Sequence, residues 1–510
     1  MAVTMFAAIE VGSYEIEMKI YEIGAKDGIR EIDRIAHLID LGKNSYNDKY
    51  IDFELIDEVC DVLYDFCKIM KSYQVNNYRV CATSAVREAE NCQNIVDRIA
   101  VRTGLKTDVL SNSELRFTYN KAIASKMDNF ISIIEDGTVL IDMGSGSTQL
   151  TLFDKGKLIT TQNTLLGALR VREAIAGFSV SGSNYRSVLE EYIDDDMDDI
   201  RKIFFHGTEI KNVIVTGGYI NFMFKNSENA GDSSGYSKDE FDRQYELLVM
   251  SSEDGIEEKF GLPREHAGIF IPSSMICKKI LDITKAQNIW IPNVKLCDGI
   301  AAEFAEKNKK FKFNRDFGND TLNASSVIAR RYMWNEEHIH YVEETGIMIF
   351  DAMKKLHGLG KREKLLLQVS AILHECGKYI NVSYPGECSY DIIMRTEIIG
   401  LSHLERVMVA NIVKYNTVDG SFDDLIRQGI DRACAMTVIK LAAILRLSNA
   451  LDKTHKQKCK NIKVSLEEKK LVITAHTFEN MAIEKGTIDS RGFLFEQAYG
   501  VKPVLKVKRN

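Results

Sequence analysis

Two short stretches carry the first chemical signal: "AIEVGS", ending at Ser13, and "LIDMGS", ending at Ser145. Each reads apolar, isoleucine, acid, apolar, glycine, serine, and each leads into a strand. Glycine lets backbone approach an anion closely, and successive N–H groups in a turn form an anion-binding nest. Serine adds a hydroxyl donor. The acid at the strand end, Glu10 or Asp142, stands where a metal ion or an attacking water would be held. The second loop, Gly144-Ser145-Gly146-Ser147-Thr148, is the better cradle, although alone it also reads as a Gly/Ser hairpin. In the first loop, Gly12-Ser13-Tyr14-Glu15, a carboxylate follows where a neutral donor is expected. A carboxylate in that place marks a weakened anion site.

These loops need strands on both sides. After the first loop, Ile16, Met18 and Ile20 point one way and Glu15, Glu17 and Lys19 the other, which predicts a half-buried strand. Residues 50 to 72 have helical periodicity, and "NYRVCATSAVREAEN" reads as strand, turn and helix with Ser84 at the N-cap. "TVLIDMGSGSTQLTLFDKGKLITTQN" reads as strand, loop, strand, a tight turn at Asp154 to Lys157, and strand. "KNVIVTGGYINFMF" is a further apolar strand running into a Gly-Gly turn. Beyond residue 305 a polar, basic linker precedes long helical patterns, and short strands return from 461. The expected division is two α/β lobes over 1–128 and 129–308, an all-α domain over 322–458 and a small α+β domain over 461–510.

A chain of 510 residues exceeds a single core. Its net charge of −7 offers no basic footprint for nucleic acid. The N-terminus reaches acid too soon for a signal peptide, and no apolar run approaches the roughly 18 residues of a membrane helix. Ten cysteines with no CxxC pair read as reduced thiols, which points to the cytoplasm.

"IDMGSGSTQL", "CATSAVREAEN", "VLSNSELRFTY", "LLGALRVRE", "VTGGY" and "LCDGIAAEF" follow the order and spacing of a known family. Through them the chain resembles the exopolyphosphatase / guanosine pentaphosphate phosphohydrolase (Ppx/GppA) family. The resemblance implies duplicated actin-like ATPase (ribonuclease H-like) lobes, then an all-α HD-like domain and a small α+β C-terminal domain. It implies a hydrolase that releases terminal orthophosphate from inorganic polyphosphate or guanosine pentaphosphate, with Mg²⁺ or Mn²⁺, no organic cofactor, and a homodimer. By the same resemblance Glu114 is the base that activates water, and Asp142 with Glu10 holds the metal. Gly12, Ser13, Gly144, Ser145, Gly146, Ser147 and Arg87 then carry the terminal phosphoryl group.

The chain departs from the family pattern in places. Asp has become Glu10, Asn-Ser has become Tyr14-Glu15, and a loop-ending Glu has become Gln149. Glu-Ala after the base has become Leu115-Arg116. Ser111-x-x-Glu114 is also a capping box, which needs no catalysis. Arg87 also reads as a partner for Glu88 or Glu90 on a helix surface.

In the helical region the positions that hold metal in HD phosphohydrolases are His338, His374-Glu375 and Asn449. A neutral amide is a poor Mg²⁺ or Mn²⁺ ligand, so a metal-free structural domain is expected, extending a groove or forming a dimer contact. Lys354, Lys355, Lys361 and Arg362 would line that groove or form a solvated face. Two other functions compete. One is a catalytically weak or inactive protein that binds alarmone, nucleotide or polyphosphate. The other is an ATP-dependent kinase or actin-like ATPase, against which stands the lack of an adenosine-pocket signature.

Overall fold

Apolar runs bounded by glycine and turn residues pair into two sheets of the same plan. The structure, a computed structural model, describes residues 3–25, 28–176, 185–205, 207–224, 235–459 and 461–509. It divides into two compact units, Met1–Asp316 and Phe317–Asn510.

In the first unit, β1 (Thr4–Val11), β2 (Glu15–Gly24), β3 (Gly28–Leu38), β4 (Asn77–Ala82) and β5 (Thr107–Val109) form a sheet in the order β3-β2-β1-β4-β5. β1 to β3 are antiparallel neighbours, and β1, β4 and β5 run parallel. The second sheet contains β6 (Thr138–Met143), β7 (Thr148–Asp154), β8 (Lys157–Thr164), β9 (Asn212–Gly217), β10 (Gly235–Ser237) and β11 (Asn288–Trp290). Its order is β10-β11-β9-β6-β7-β8. Set beside the first sheet, β8-β7-β6-β9-β11 repeats the order and the pairing directions, with β10 added at the edge. This is a duplicated α/β fold. The β7–β8 turn is tight because Lys155 and Gly156 both take positive φ.

The expected half-buried β2 is buried on both faces. Ile16, Met18 and Ile20 enter the core under the helix Phe53–Ser72, while Glu17 and Lys19 are also buried. The charged face is covered by the helix Leu296–Lys307 and neutralised in place. Lys19 Nζ lies 3.1 Å from Asp298 and 3.0 Å from Glu31, and Arg34 pairs with Glu17. Alternation of charge therefore marks an internal ion-pair layer, where each charge is tolerated only because it is paired.

The second unit is built around the helix Arg432–Leu451, packed by the helices Glu336–Ala352 and His403–Thr417. Among the described residues it is the one helix long and apolar enough to cross a membrane, with a mean hydropathy of 1.5. That composition serves the core, since nearly every residue from Val438 to Leu451 is buried. A three-stranded sheet of β12 (Asn461–Glu467), β13 (Lys470–His476) and β14 (Lys502–Lys508) closes the chain in the order β12-β13-β14.

Candidate functional site

β1 and β6 occupy the same place in their sheets, and both end in an acid. Glu10 is paired with Glu17 on β2 and Cys81 on β4. Asp142 is paired with Gln149 on β7 and Thr216 on β9. The duplication thus relates Glu10 to Asp142 and Glu17 to Gln149. Burial, with Glu17 adding to it, pushes the Glu10 carboxyl up to about 8. Burial pushes Asp142 up to about 7, against a 3.3 Å hydrogen bond from Thr216 Oγ1 and the nearby Arg116 guanidinium. The Glu10 side chain is half-buried. Among the described residues it makes no hydrogen bond and no ion pair. Two enclosed carboxylates from equivalent strands suit a hard divalent cation.

The first loop is closed by its own backbone. Gly12 N–H donates to Glu15 O at 3.0 Å, and a Cβ on Gly12 would meet that oxygen at 2.7 Å. The Glu15 carboxylate, the feature that looked costly, is taken by Lys295 Nζ at 2.8 Å. Burial raises the Glu15 carboxyl, but Lys295 outweighs it and holds the group below its ordinary range. The second loop closes likewise, with Gly144 N–H donating to Ser147 O at 2.9 Å. Ser145 O accepts from the N–H of Leu169 and Arg170. Among the described residues no backbone acceptor takes the N–H of Ser145, Gly146 or Ser147.

Ser13 and Gly146 are brought together by Ser84 and by Tyr46, which lies outside the motifs. Tyr46 Oη lies 2.7 Å from Ser13 Oγ and 2.9 Å from Ser84 Oγ, and the two serine hydroxyls are 3.0 Å apart. A Cβ on Gly146 would fall 2.1 Å from Tyr46 Oη and 2.8 Å from Ser84 Oγ. Ser84, expected as an N-cap, is the first residue of the helix Ser84–Glu88, and Thr83 holds the cap position. Arg170 seals the contact: its guanidinium stacks 4.0 Å over the Tyr46 ring, its Nε donates to Gly146 O, and it pairs with Glu88.

Arg87 lies in the last turn of the helix Ser84–Glu88. Its guanidinium donates to Leu110 O at 2.6 Å and to Asn112 Oδ1 at 2.5 Å, tying the helix Ser84–Glu88 to the start of the helix Asn112–Lys126. Glu114 sits in the first turn of that helix and forms the capping box. Its Oε2 accepts from Ser111 N–H at 3.0 Å and Ser111 Oγ at 2.7 Å. Two residues on, Arg116 turns inward and is almost wholly buried, with Nε 3.1 Å from Gln149 Oε1. Its position was visible in the sequence as a departure, but its destination was not. Tyr46 gave no signal, because the contact that matters joins three separate segments.

In the second unit, His338, His374 and Glu375 converge, while Asn449 donates instead to Asn416 Oδ1 at 3.2 Å. Arg362 is held by Glu405.

The model of the Ppx/GppA phosphatase family matches residues 20–308, and that of Ppx/GppA phosphatase domain III matches residues 323–486. A bifunctional 3-dehydroquinate synthase/phosphatase of Fusobacterium nucleatum is 22% identical over 292 residues. The match covers 54% of this chain and 43% of that protein, so the chain spans less than half of that relative's length. A guanosine-5'-triphosphate,3'-diphosphate pyrophosphatase of Photobacterium profundum is 21% identical over 418 residues, 80% of each chain. The solved structure of an exopolyphosphatase from Cytophaga hutchinsonii covers 60% of this chain and 98% of its own, at 19% identity and a TM-score of 0.51, a likeness of fold.

Proposed function

This chain belongs to the Ppx/GppA phosphatase family, and from that premise we propose that it removes the terminal phosphoryl group from inorganic polyphosphate or guanosine pentaphosphate. The observation that carries the reading is the pairing of equivalent halves: two acid-ended strands, Glu10 on β1 and Asp142 on β6, each opening into a glycine–serine loop, with Ser13 and Gly146 meeting at Tyr46 and Ser84. Phosphoanhydride hydrolysis asks the protein mainly for positioning and charge neutralisation. Glu10 and Asp142 would hold a Mg²⁺ ion, which when bound offsets charge on the phosphoryl oxygens. The N–H groups of Ser145 to Ser147, with the Ser13 hydroxyl and Arg87, would bind the terminal phosphoryl oxygens. Glu114 would take the proton of the attacking water through Oε1, the oxygen not committed to the helix cap. The free thiols agree with a reducing cytoplasmic setting.

A second reading has its own support. Arg116 supplies a fixed positive charge beside Asp142 and engages a neutral Gln149, and Tyr46 fills the space between the loops. These features suit a protein that binds a polyanion with little turnover. Orthophosphate release measured in parallel from polyphosphate, guanosine pentaphosphate and ATP with Mg²⁺ separates the readings. Release from either of the first two, faster than from ATP, supports hydrolysis. Saturable binding by calorimetry without release over hours replaces it with the binding function.

A further inference from the structure

Among the described residues of the second unit, two buried imidazoles each have an Nε2 with no hydrogen-bond partner. His338, in the helix Glu336–Ala352, is wholly buried. Its Nδ1 lies 2.8 Å from Asp452 Oδ2. Asp452 is itself fixed by the N–H groups of Lys456 at 3.0 Å and Gln457 at 2.8 Å and by Gln457 Nε2 at 2.7 Å. A carboxylate held by donors can only accept, so His338 carries its proton on Nδ1 and presents a lone pair at Nε2. His374 repeats the arrangement. Its Nδ1 lies 2.7 Å from the carbonyl oxygen of Ala371, which again places the proton on Nδ1. Both Nε2 atoms are buried without a hydrogen bond. Leaving a buried acceptor unsatisfied is costly, and here two are oriented toward one place.

That place is Glu375 Oε1. His338 Nε2 is 3.5 Å from it, His455 Nε2 is 3.4 Å and His374 Nε2 is 3.8 Å. The His455 ring stacks on His338 with centroids 3.7 Å apart and an interplanar angle of 7°. His455 occupies a left-handed conformation at φ 55°, which a residue with a Cβ adopts only when its surroundings hold it. Tetrahedral ligands at zinc-like bond lengths of about 2.0–2.1 Å stand on the order of 3.3 Å from one another, close to these separations. Lys378 also binds Glu375, but its side chain is 41% exposed and free to turn outward.

We propose that His338, Glu375 and His455, whose ligand atoms all lie within 4.8 Å of one another, form a binding site for one first-row divalent transition metal ion of the zinc class, with His374 beside it, 3.8 Å from Glu375 Oε1. The set is imidazole-rich with one carboxylate, which suits Zn²⁺ and its neighbours over Mg²⁺. The hydrogen bond from His338 Nδ1 to Asp452 is the outer contact that fixes a ligating histidine's tautomer and ring orientation. Sequence pattern pointed to Asn449 as the weak member and so to a metal-free domain. The fold passes over Asn449 and supplies His455, six residues further on. This site is separate from Glu10 and Asp142 and does not depend on their role.

The test is metal content and spectroscopy on the full chain. The protein is stripped with a chelator, incubated with Zn²⁺ or Co²⁺, freed of excess metal and assayed by elemental analysis. About one equivalent per chain should be retained, and the Co²⁺ form should show visible ligand-field bands. His455→Ala, at a half-exposed position that spares the core, should lose both, whereas Glu10→Gln should keep both. A chelator should lower the melting temperature of the zinc-loaded chain and leave that of His455→Ala unmoved. Sub-stoichiometric retention by the wild type, or retention unchanged in His455→Ala, overturns the site. Metal lost with Glu10→Gln but not with His455→Ala assigns it to the other unit, which also overturns it.

Discussion

Arg116 Nε donates to Gln149 Oε1 at 3.1 Å, joining the helix that begins at Asn112 to the strand that faces Asp142. In the other half the equivalent of Gln149 is Glu17, whose charge is taken by Arg34 and approached by Lys295. Each half thus has an acid-bearing strand with a basic side chain brought in from elsewhere. Arg116 lowers the Asp142 carboxyl against the upward push of burial. Replacing it with an apolar group of similar length removes that positive field. Arg116→Met should move the acidic limb of the kcat/KM profile for phosphate release to higher pH, because Asp142 then ionises later. An unchanged profile would separate Arg116 from the chemistry.

Glu114→Gln distinguishes the two roles of that residue. A glutamine completes a capping box as a glutamate does, so the helix Asn112–Lys126 should keep its stability. A general base, by contrast, loses its proton acceptor, which costs on the order of 10²-fold or more in kcat. The expected result is a collapse of phosphate release with little change in melting temperature or polyphosphate affinity. Full activity in Glu114→Gln would leave the cap as its only function.

Much of this arrangement was legible in the chain. The repeated acid–apolar–Gly–Ser stretches announced two equivalent strands because a local backbone requirement is written in consecutive residues. β2 was misjudged as half-buried, since Glu17 and Lys19 alternate like a wetted face. Their partners, Asp298, Lys295 and Arg34, lie on other elements and carry no local mark. The Tyr46 contact was equally silent, because Ser13, Ser84 and Gly146 reach it from three segments. His455 escaped notice because a sequence pattern fixes a ligand's position along the chain, whereas a turn held at positive φ can deliver one from elsewhere.

Gly146→Ala tests the closeness of the two loops. The added methyl would fall 2.1 Å from Tyr46 Oη and 2.7 Å from its Cζ, so one loop must move. Overpacking of this kind costs about 1–3 kcal/mol, read as a lower melting temperature, together with weaker polyphosphate binding. Tyr46→Phe removes the nearest clashing atom and should recover part of the lost stability in the double variant. Strict additivity of the two changes in a double-mutant cycle would show that the loops do not touch.

The two raised carboxyls give the cation a pH signature. Burial lifts Glu10 from an ordinary 4.5 to about 8 and Asp142 from 3.8 to about 7, so the folded chain holds protons that the unfolded chain has released. Their contribution to stability is therefore present below the unfolded values and is lost as pH rises through about 7 to 8. A divalent cation competes with those protons and recovers the loss only where the protons have left. Mg²⁺ should accordingly raise the melting temperature more at about pH 8.5 than at about pH 5.5. In Glu10→Gln/Asp142→Asn the melting temperature should fall less with rising pH, and the Mg²⁺ increment should vanish at both values. An equal Mg²⁺ increment at the two pH values in the wild type would place the ion away from these carboxylates, because only a site that shares its oxygens with those protons has this dependence.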